Sequence, residues 1–135
     1  MNNFTAKSRI LHTMIRVFDI DKSIDFYTQQ LGMQLLRRTD NEHGRFTLAF
    51  VGYGDDENTS VIELTHNWDQ LEPYKMGNGF GHLAIAVPDA YVACAALEKE
   101  GVHITRPAGP MKGGSRVIAF VEDPDGYKIE LVQRD

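Results

Sequence analysis

Leu11-His12-Thr13-Met14-Ile15-Arg16-Val17-Phe18-Asp19 returns seventy residues later as Gly81-His82-Leu83-Ala84-Ile85-Ala86-Val87-Pro88-Asp89, and this echo decides the fold. Each copy is a largely aliphatic run closed by an aspartate, the pattern of a strand that leads into a capped helix. Ala49-Phe50-Val51 repeats as Ala119-Phe120-Val121 at the same offset of 70, and Ile62-Glu63-Leu64 repeats as Ile129-Glu130-Leu131 at an offset of 67. The three-residue difference falls in the loop 52–60 against 122–127, where an insertion is easily tolerated. The chain is therefore one module written twice, and each copy carries a histidine near its start and a glutamate near its end.

Working outward from the first copy, residues 10–17 read as a strand and 19–31 as a helix. Asp19, Asp21 and Ser23 are capping candidates, Ile24, Tyr27 and Leu31 share a face, and Gly32 stands where a left-handed cap belongs. Strands follow at 33–39, 45–53 and 61–65, with a turn at 40–44 and a glycine-acidic loop before the last. The order is β-α-β-β-β. The second copy gives a strand at 81–87, a helix from Asp89 that stops at Gly101, and a short strand at 102–105. A Pro/Gly loop at 106–114 precedes strands at 116–121 and 127–132, which Glu122-Asp123-Pro124-Asp125-Gly126 joins with strong turn chemistry. The expected organisation is an N-terminal extension over 1–9 and a single α+β domain over 10–135. Module one occupies 10–66, an ordered linker with Trp68, Pro73 and Tyr74 occupies 67–78, and module two occupies 79–135.

Composition excludes several classes. At 135 residues, with 42% apolar and 24% charged residues, the chain is an ordinary globular protein whose modules are each too small to be comfortably stable alone. A net charge of −5 argues against nucleic acid as a partner, which needs a basic face. Only Arg37-Arg38 and the stretch 112–116 are locally basic enough for a small anion. No apolar run reaches the roughly 20 residues that span a bilayer, so no membrane is expected, and residues 1–9 lack the apolar heart of a signal peptide. Cys94, the single cysteine, lies in a helical run and reads as a small buried hydrophobe in a reducing cytoplasm.

Strand alternation tells which way the repeated polar residues point. Leu11, Thr13, Ile15 and Val17 share the face that suits a helix; His12, Met14 and Arg16 share the other. Leu83, Ile85 and Val87 likewise oppose His82, Ala84 and Ala86. Ile62 and Leu64 oppose Glu63, Thr65 and Asn67, and Ile129 and Leu131 oppose Glu130 and Val132. All four repeated residues thus leave the face away from the helices. Taken singly, each is an ordinary hydrogen-bonded strand residue; taken as two pairs inside a repeat, they point to a metal. Two imidazoles and two carboxylates form a mixed N/O set that suits Ni²⁺, Co²⁺, Zn²⁺, Mn²⁺ or Fe²⁺ and leaves positions for substrate oxygens.

These residues resemble the vicinal oxygen chelate superfamily, and within it the short bacterial glyoxalase I family. The resemblance covers nearly all of the chain after about residue 9. It rests on Leu11 to Val17, Ser23-Ile24-Asp25-Phe26-Tyr27, Leu31-Gly32-Met33, Leu48 to Gly54, Val61 to Thr65, Gly81-His82, Gly109 to Gly114 and Ala119 to Leu131. The Ser-Ile-Asp-Phe-Tyr helix marks only the superfamily, whereas all four ligand positions together are far more specific.

The resemblance implies two β-α-β-β-β modules curled into half-barrel sheets, and a homodimer whose metal sites lie at the interface. His12 and Glu63 of one chain would face His82 and Glu130 of the other. It implies a lactoylglutathione lyase activity: isomerisation of the hemithioacetal of methylglyoxal and glutathione to S-D-lactoylglutathione, a methylglyoxal detoxification. It also implies Ni²⁺ ahead of Co²⁺ or Zn²⁺, because the chain lacks the long insertions of the forms that use zinc. Glu130 would be the main base, with Glu63 its pseudo-symmetric partner. Arg16 and Asn67, each four residues beyond a ligand and about 13 Å along its strand, would hold the far carboxylates of the glutathione moiety.

Lys112 is the one cation at the centre of the glycine-rich stretch 109–115, which reads either as a lid over the substrate or as a plain solvated hairpin. His43 and His66 read as loop or helix-side residues, and His103 as a surface strand residue. Competing readings are a related epimerase or thiol transferase, an Fe²⁺ extradiol dioxygenase, and a metal-free binder of the bleomycin-sequestering kind. The last has no need of all four ligand residues.

Overall fold

The computed structural model describes residues 3–135. The chain divides into two compact units, Met1–Pro73 and Tyr74–Asp135. In the first, β1 (His12–Arg16), α1 (Ile20–Asp25), β2 (Gln34–Asn41), β3 (Phe46–Gly52) and β4 (Val61–Asn67) follow one another. In the second, β5 (His82–Val87), α2 (Ala90–Lys99), β6 (Ile104–Pro110), β7 (Val117–Glu122) and β8 (Lys128–Gln133) repeat the order. Each unit holds a four-stranded mixed sheet, ordered β1-β4-β3-β2 in one and β5-β8-β7-β6 in the other. The first and last strands of each module lie side by side and parallel, while the remaining pairs are antiparallel.

The helices form where the caps say they should. Asp19 accepts a hydrogen bond from the Lys22 amide, and Asp89 accepts one from the Val92 amide. The first helix tightens differently at its end: residues Phe26–Gln30 continue it as a single π turn before Gly32 closes it at φ +76°. α1 packs on β3 and β4, where Ile20 and Ile24 are buried, as are Phe26 and Tyr27 of the π turn and Ala49, Val51 and Leu64 of the strands. α2 packs on β6, β7 and β8, where Cys94 and Leu97 are buried, as are Ala119, Val121, Ile129 and Leu131 of the strands. Each large aliphatic side chain so enclosed contributes about 1.5–3 kcal/mol of transfer free energy. Cys94 behaves as the small hydrophobe its helical position predicts.

Several element boundaries depart from the sequence reading. β2 runs on to Asn41, and β4 runs through His66 and Asn67 because Thr47 and Phe46 pair with them. His66 is therefore a strand residue whose Nδ1 lies 3.2 Å from the Val17 carbonyl, not a loop or helix-side residue. The stretch 106–114 is not an open loop: Gly109 pairs with Ile118 and Pro110 with Val117 across an irregular β6–β7 hairpin. Arg106 stitches that hairpin, donating to the carbonyls of Gly109, Pro110 and Ile118 at 2.8–2.9 Å. Nor is the start of the chain loose at Arg9, whose guanidinium donates to the carbonyls of Glu57 and Thr59 at 2.9 and 3.2 Å.

Candidate functional site

Strand register brings each histidine to its glutamate. In the first unit His12 lies opposite Val61 and Met14 opposite Glu63, so Glu63 is two residues beyond the neighbour of His12 and leaves the same face. The His12 Nε2 and Glu63 Oε1 atoms are 3.1 Å apart. In the second unit His82 lies opposite Lys128 and Ala84 opposite Glu130, the same offset, and Nε2 and Oε1 are 3.2 Å apart. The glutamates are mostly enclosed, with side chains 17% and 14% exposed, whereas the imidazoles are 32% and 42% exposed. Each pair thus presents two donor atoms with an open side toward solvent.

The donor spacing fits a transition metal. Two ligand atoms about 2.1 Å from one ion lie about 3.0 Å apart at a right angle and about 3.4 Å apart at the tetrahedral angle. Separations of 3.1 and 3.2 Å fall inside that range, although a simple imidazole–carboxylate hydrogen bond has the same length. Among the described residues no three His, Cys, Asp or Glu side chains converge on one point. Each pair alone would supply two donors, where a bound divalent ion takes three or four protein ligands.

A pair of phenylalanines that sequence reasoning left without a role backs the two half-sites. Phe50 stands opposite Glu63 and Phe120 opposite Glu130 on the adjoining antiparallel strands. Phe50 meets the His12 ring edge to face at 5.3 Å between centroids, and Phe120 meets the His82 ring at 5.2 Å. The signal lies in the repeated Ala-Phe-Val tripeptide, 49–51 and 119–121, which puts a phenylalanine at the same place in both modules.

The half-sites are not identical. The Arg37 guanidinium lies 3.9 Å over the Phe50 ring and is held by Asp56 at 2.6 Å. That hydrogen bond keeps the Asp56 carboxyl below the usual carboxylate range. Arg106 occupies the equivalent register opposite Phe120, yet its guanidinium turns into the β6–β7 hairpin. Thr65 donates to Glu63 Oε2 at 2.9 Å, and the equivalent position beside Glu130 is Val132, which has no hydroxyl.

The remaining predicted residues are spread more widely. Arg16 lies opposite Thr65 on β1 and Asn67 ends β4, so Arg16 stands to Asn67 as His12 stands to Glu63, one step of four residues along the same strands. Arg16 is exposed and Asn67 half-buried. Lys112 is exposed at the turn of the β6–β7 hairpin, in the other unit. The Arg37-Arg38 cluster is engaged: Arg37 pairs with Asp56 and Arg38 with Asp21. It therefore offers no ready anion site. Trp68 packs within its own unit, donating from Nε1 to Thr47 Oγ1 at 2.8 Å beneath the Arg45 guanidinium. His43 and His103 are exposed, and His103 Nδ1 lies 3.5 Å from Glu122.

Comparison with known proteins places the sequence and the fold in a family. A family model described as the Glyoxalase/Bleomycin resistance protein/Dioxygenase superfamily matches residues 9–131. The lactoylglutathione lyase of Neisseria meningitidis is 60% identical over 126 residues, covering 93% of this chain and 91% of that protein. The lactoylglutathione lyase of Salmonella typhimurium is 56% identical over 125 residues, covering 93% and 92%. Among solved structures, glyoxalase I from Zea mays superposes with a TM-score of 0.89 at 47% identity over 93% of this chain, which spans only 44% of the maize chain. The trypanothione-dependent glyoxalase I of Leishmania major superposes with a TM-score of 0.84 at 44% identity, covering 94% of this chain and 87% of that one. No helix among the described residues is long and apolar enough to cross a membrane. By this family match, these relatives and the duplicated four-stranded sheets, the chain belongs to the Glyoxalase/Bleomycin resistance protein/Dioxygenase superfamily, as a glyoxalase I-type member.

Proposed function

We propose that this chain is a metal-dependent lactoylglutathione lyase that converts the hemithioacetal of methylglyoxal and glutathione to S-D-lactoylglutathione. The observation that carries the reading is the His–Glu pair built twice, at the same register and nearly the same separation, in a chain 54–60% identical to lactoylglutathione lyases. His12, Glu63, His82 and Glu130 would hold one divalent ion, with Ni²⁺ preferred over Co²⁺ or Zn²⁺. Because each unit supplies only half of that set, we assign the complete site to a homodimer in which module one of one copy meets module two of the other.

When bound, the ion supplies Lewis-acid stabilisation of the negative charge that develops on the substrate oxygens. The protein does the rest. Glu130 takes the proton from C1 of the hemithioacetal and returns it to C2 through an enediolate, so the reaction has no net proton change and needs no redox partner. Phe50 and Phe120 back the imidazoles and fix their rings. Arg16 and Asn67, side by side on β1 and β4, hold the carboxylates of the glutathione moiety, Arg16 by paired N–H donors and Asn67 by its amide. Lys112 contributes a positive charge at the hairpin turn to the same anionic substrate. The lone buried Cys94 and a reduced thiol substrate both suit the cytoplasm.

The deciding experiment mixes methylglyoxal and glutathione with the purified metal-free protein, adds Ni²⁺, Co²⁺ or Zn²⁺, and follows thioester formation spectrophotometrically. Activity that depends on added metal, highest with Ni²⁺, is expected. A protein that binds metal but forms no thioester with any of the three would overturn the assignment.

A further inference from the structure

The repeat breaks at one position where a side chain reaches a candidate ligand carboxylate directly. We infer that Thr65 is a positioning residue that pins Glu63 as the holding carboxylate and so leaves Glu130 as the one that moves protons, an inference that rests on the lactoylglutathione lyase reading.

Both oxygens of Glu63 are engaged. Oε1 faces His12 Nε2 at 3.1 Å, and Oε2 accepts from Thr65 Oγ1 at 2.9 Å. A hydrogen bond to an ionised carboxylate is among the stronger kinds, and Thr65 is a stiff donor because its β-branched side chain has few rotamers. It is also buried, at 8% exposure, so water competes poorly for the hydroxyl. Its strand, β4, is fixed on both edges by β1 and β3. To reach a carbon-bound proton, Glu63 would have to swing and give up this contact.

Among the described residues Glu130 has no such hydroxyl anchor. Val132 lies opposite Ala86 in the register where Thr65 lies opposite Arg16, two residues beyond the glutamate and on its face. Valine has nearly the shape of threonine and cannot donate. Arg37 adds a second brace to the first unit by covering Phe50, whereas Arg106 is spent on its own hairpin. Among the described residues, the threonine hydrogen bond on the glutamate and the arginine over the aromatic ring occur in the first half-site and not in the second. The two chemical roles that one proton-shuttling site needs, a carboxylate that stays and one that leaves, fall to Glu63 and Glu130 respectively.

The test exchanges the two side chains in the full-length protein. Thr65→Val, Thr65→Ser, Val132→Thr and the double exchange are compared for Ni²⁺ retention against a chelator and for kcat and KM separately. Thr65→Val is expected to weaken Ni²⁺ retention about tenfold with KM unchanged, and Thr65→Ser to restore it. Val132→Thr is expected to lower kcat severalfold while Ni²⁺ is retained. In the double exchange, the kcat loss from Glu63→Gln should approach or exceed that from Glu130→Gln. Unaltered Ni²⁺ retention in Thr65→Val, a Thr65→Ser variant no better than Thr65→Val, or an unchanged Glu63/Glu130 ratio after the exchange would overturn the inference. An unsubstituted protein inactive with every metal would overturn the functional reading alone, since Ni²⁺ retention across the series still judges the hold of Thr65 on Glu63.

Discussion

At the residue scale the proposed chemistry turns on two glutamates, Glu63 and Glu130, that the repeat makes equivalent and the neighbouring side chains make different. A general base contributes typically 10²–10⁴-fold, and its amide isostere keeps size and a carbonyl oxygen while losing basicity. Glu130→Gln is therefore expected to lower kcat by about 10²-fold or more while the protein retains appreciable metal. Glu63→Gln is expected to cost less in kcat and more in metal retention. Steady-state kinetics with parallel metal analysis checks both, and near-normal turnover of Glu130→Gln would remove it from the role of base. At this scale the sequence was unusually informative, because His12, Glu63, His82 and Glu130 each recur at a fixed offset and strand alternation put all four on one side of their strands. What it hid was anything that depends on a neighbouring strand. Phe50 against His12 and Arg37 over Phe50 become visible only once register is known, since Phe50 and Glu63 are thirteen positions apart in sequence and directly opposite in the sheet.

Elements were legible where local chemistry fixes them and illegible where distant groups do. Asp19 and Asp89 cap their helices, and Gly32 and Gly101 close them in left-handed conformations, as the spacing predicts. β4 outran its prediction because its apolar alternation ends at Thr65, yet β3 continues to pair with His66 and Asn67. The β6–β7 hairpin reads as a loop in the sequence because its prolines and glycines interrupt the ladder. The carbonyls so freed are taken up by Arg106, a remedy no propensity describes. The caps themselves are testable. Asp89→Ala removes the acceptor for the Val92 amide, and loss of such a cap costs about 1 kcal/mol. Denaturant unfolding of the metal-free protein should show a lower midpoint at unchanged slope, with Asp89→Asn close to the parent. An Asp89→Ala midpoint equal to the parent's would mean that solvent replaces the cap without loss.

At the scale of the whole molecule, the proposed metal site needs two units, because each unit brings one histidine and one glutamate together. Duplication gives two halves per chain, and a closed two-fold pair of chains yields two complete sites if module one of each copy meets module two of the other. That arrangement makes a prediction that no single-chain site shares. A variant broken in module one, His12→Gln with Glu63→Gln, and a variant broken in module two, His82→Gln with Glu130→Gln, should each be inactive. Unfolded together and refolded as a mixture, they form mixed dimers in which one site carries all four substitutions and the other carries none. Random pairing puts half of the chains into mixed dimers, each with one of two sites intact, so about a quarter of the parent activity should return. A site closed within one chain leaves every site broken in either variant, and the mixture would then stay inactive.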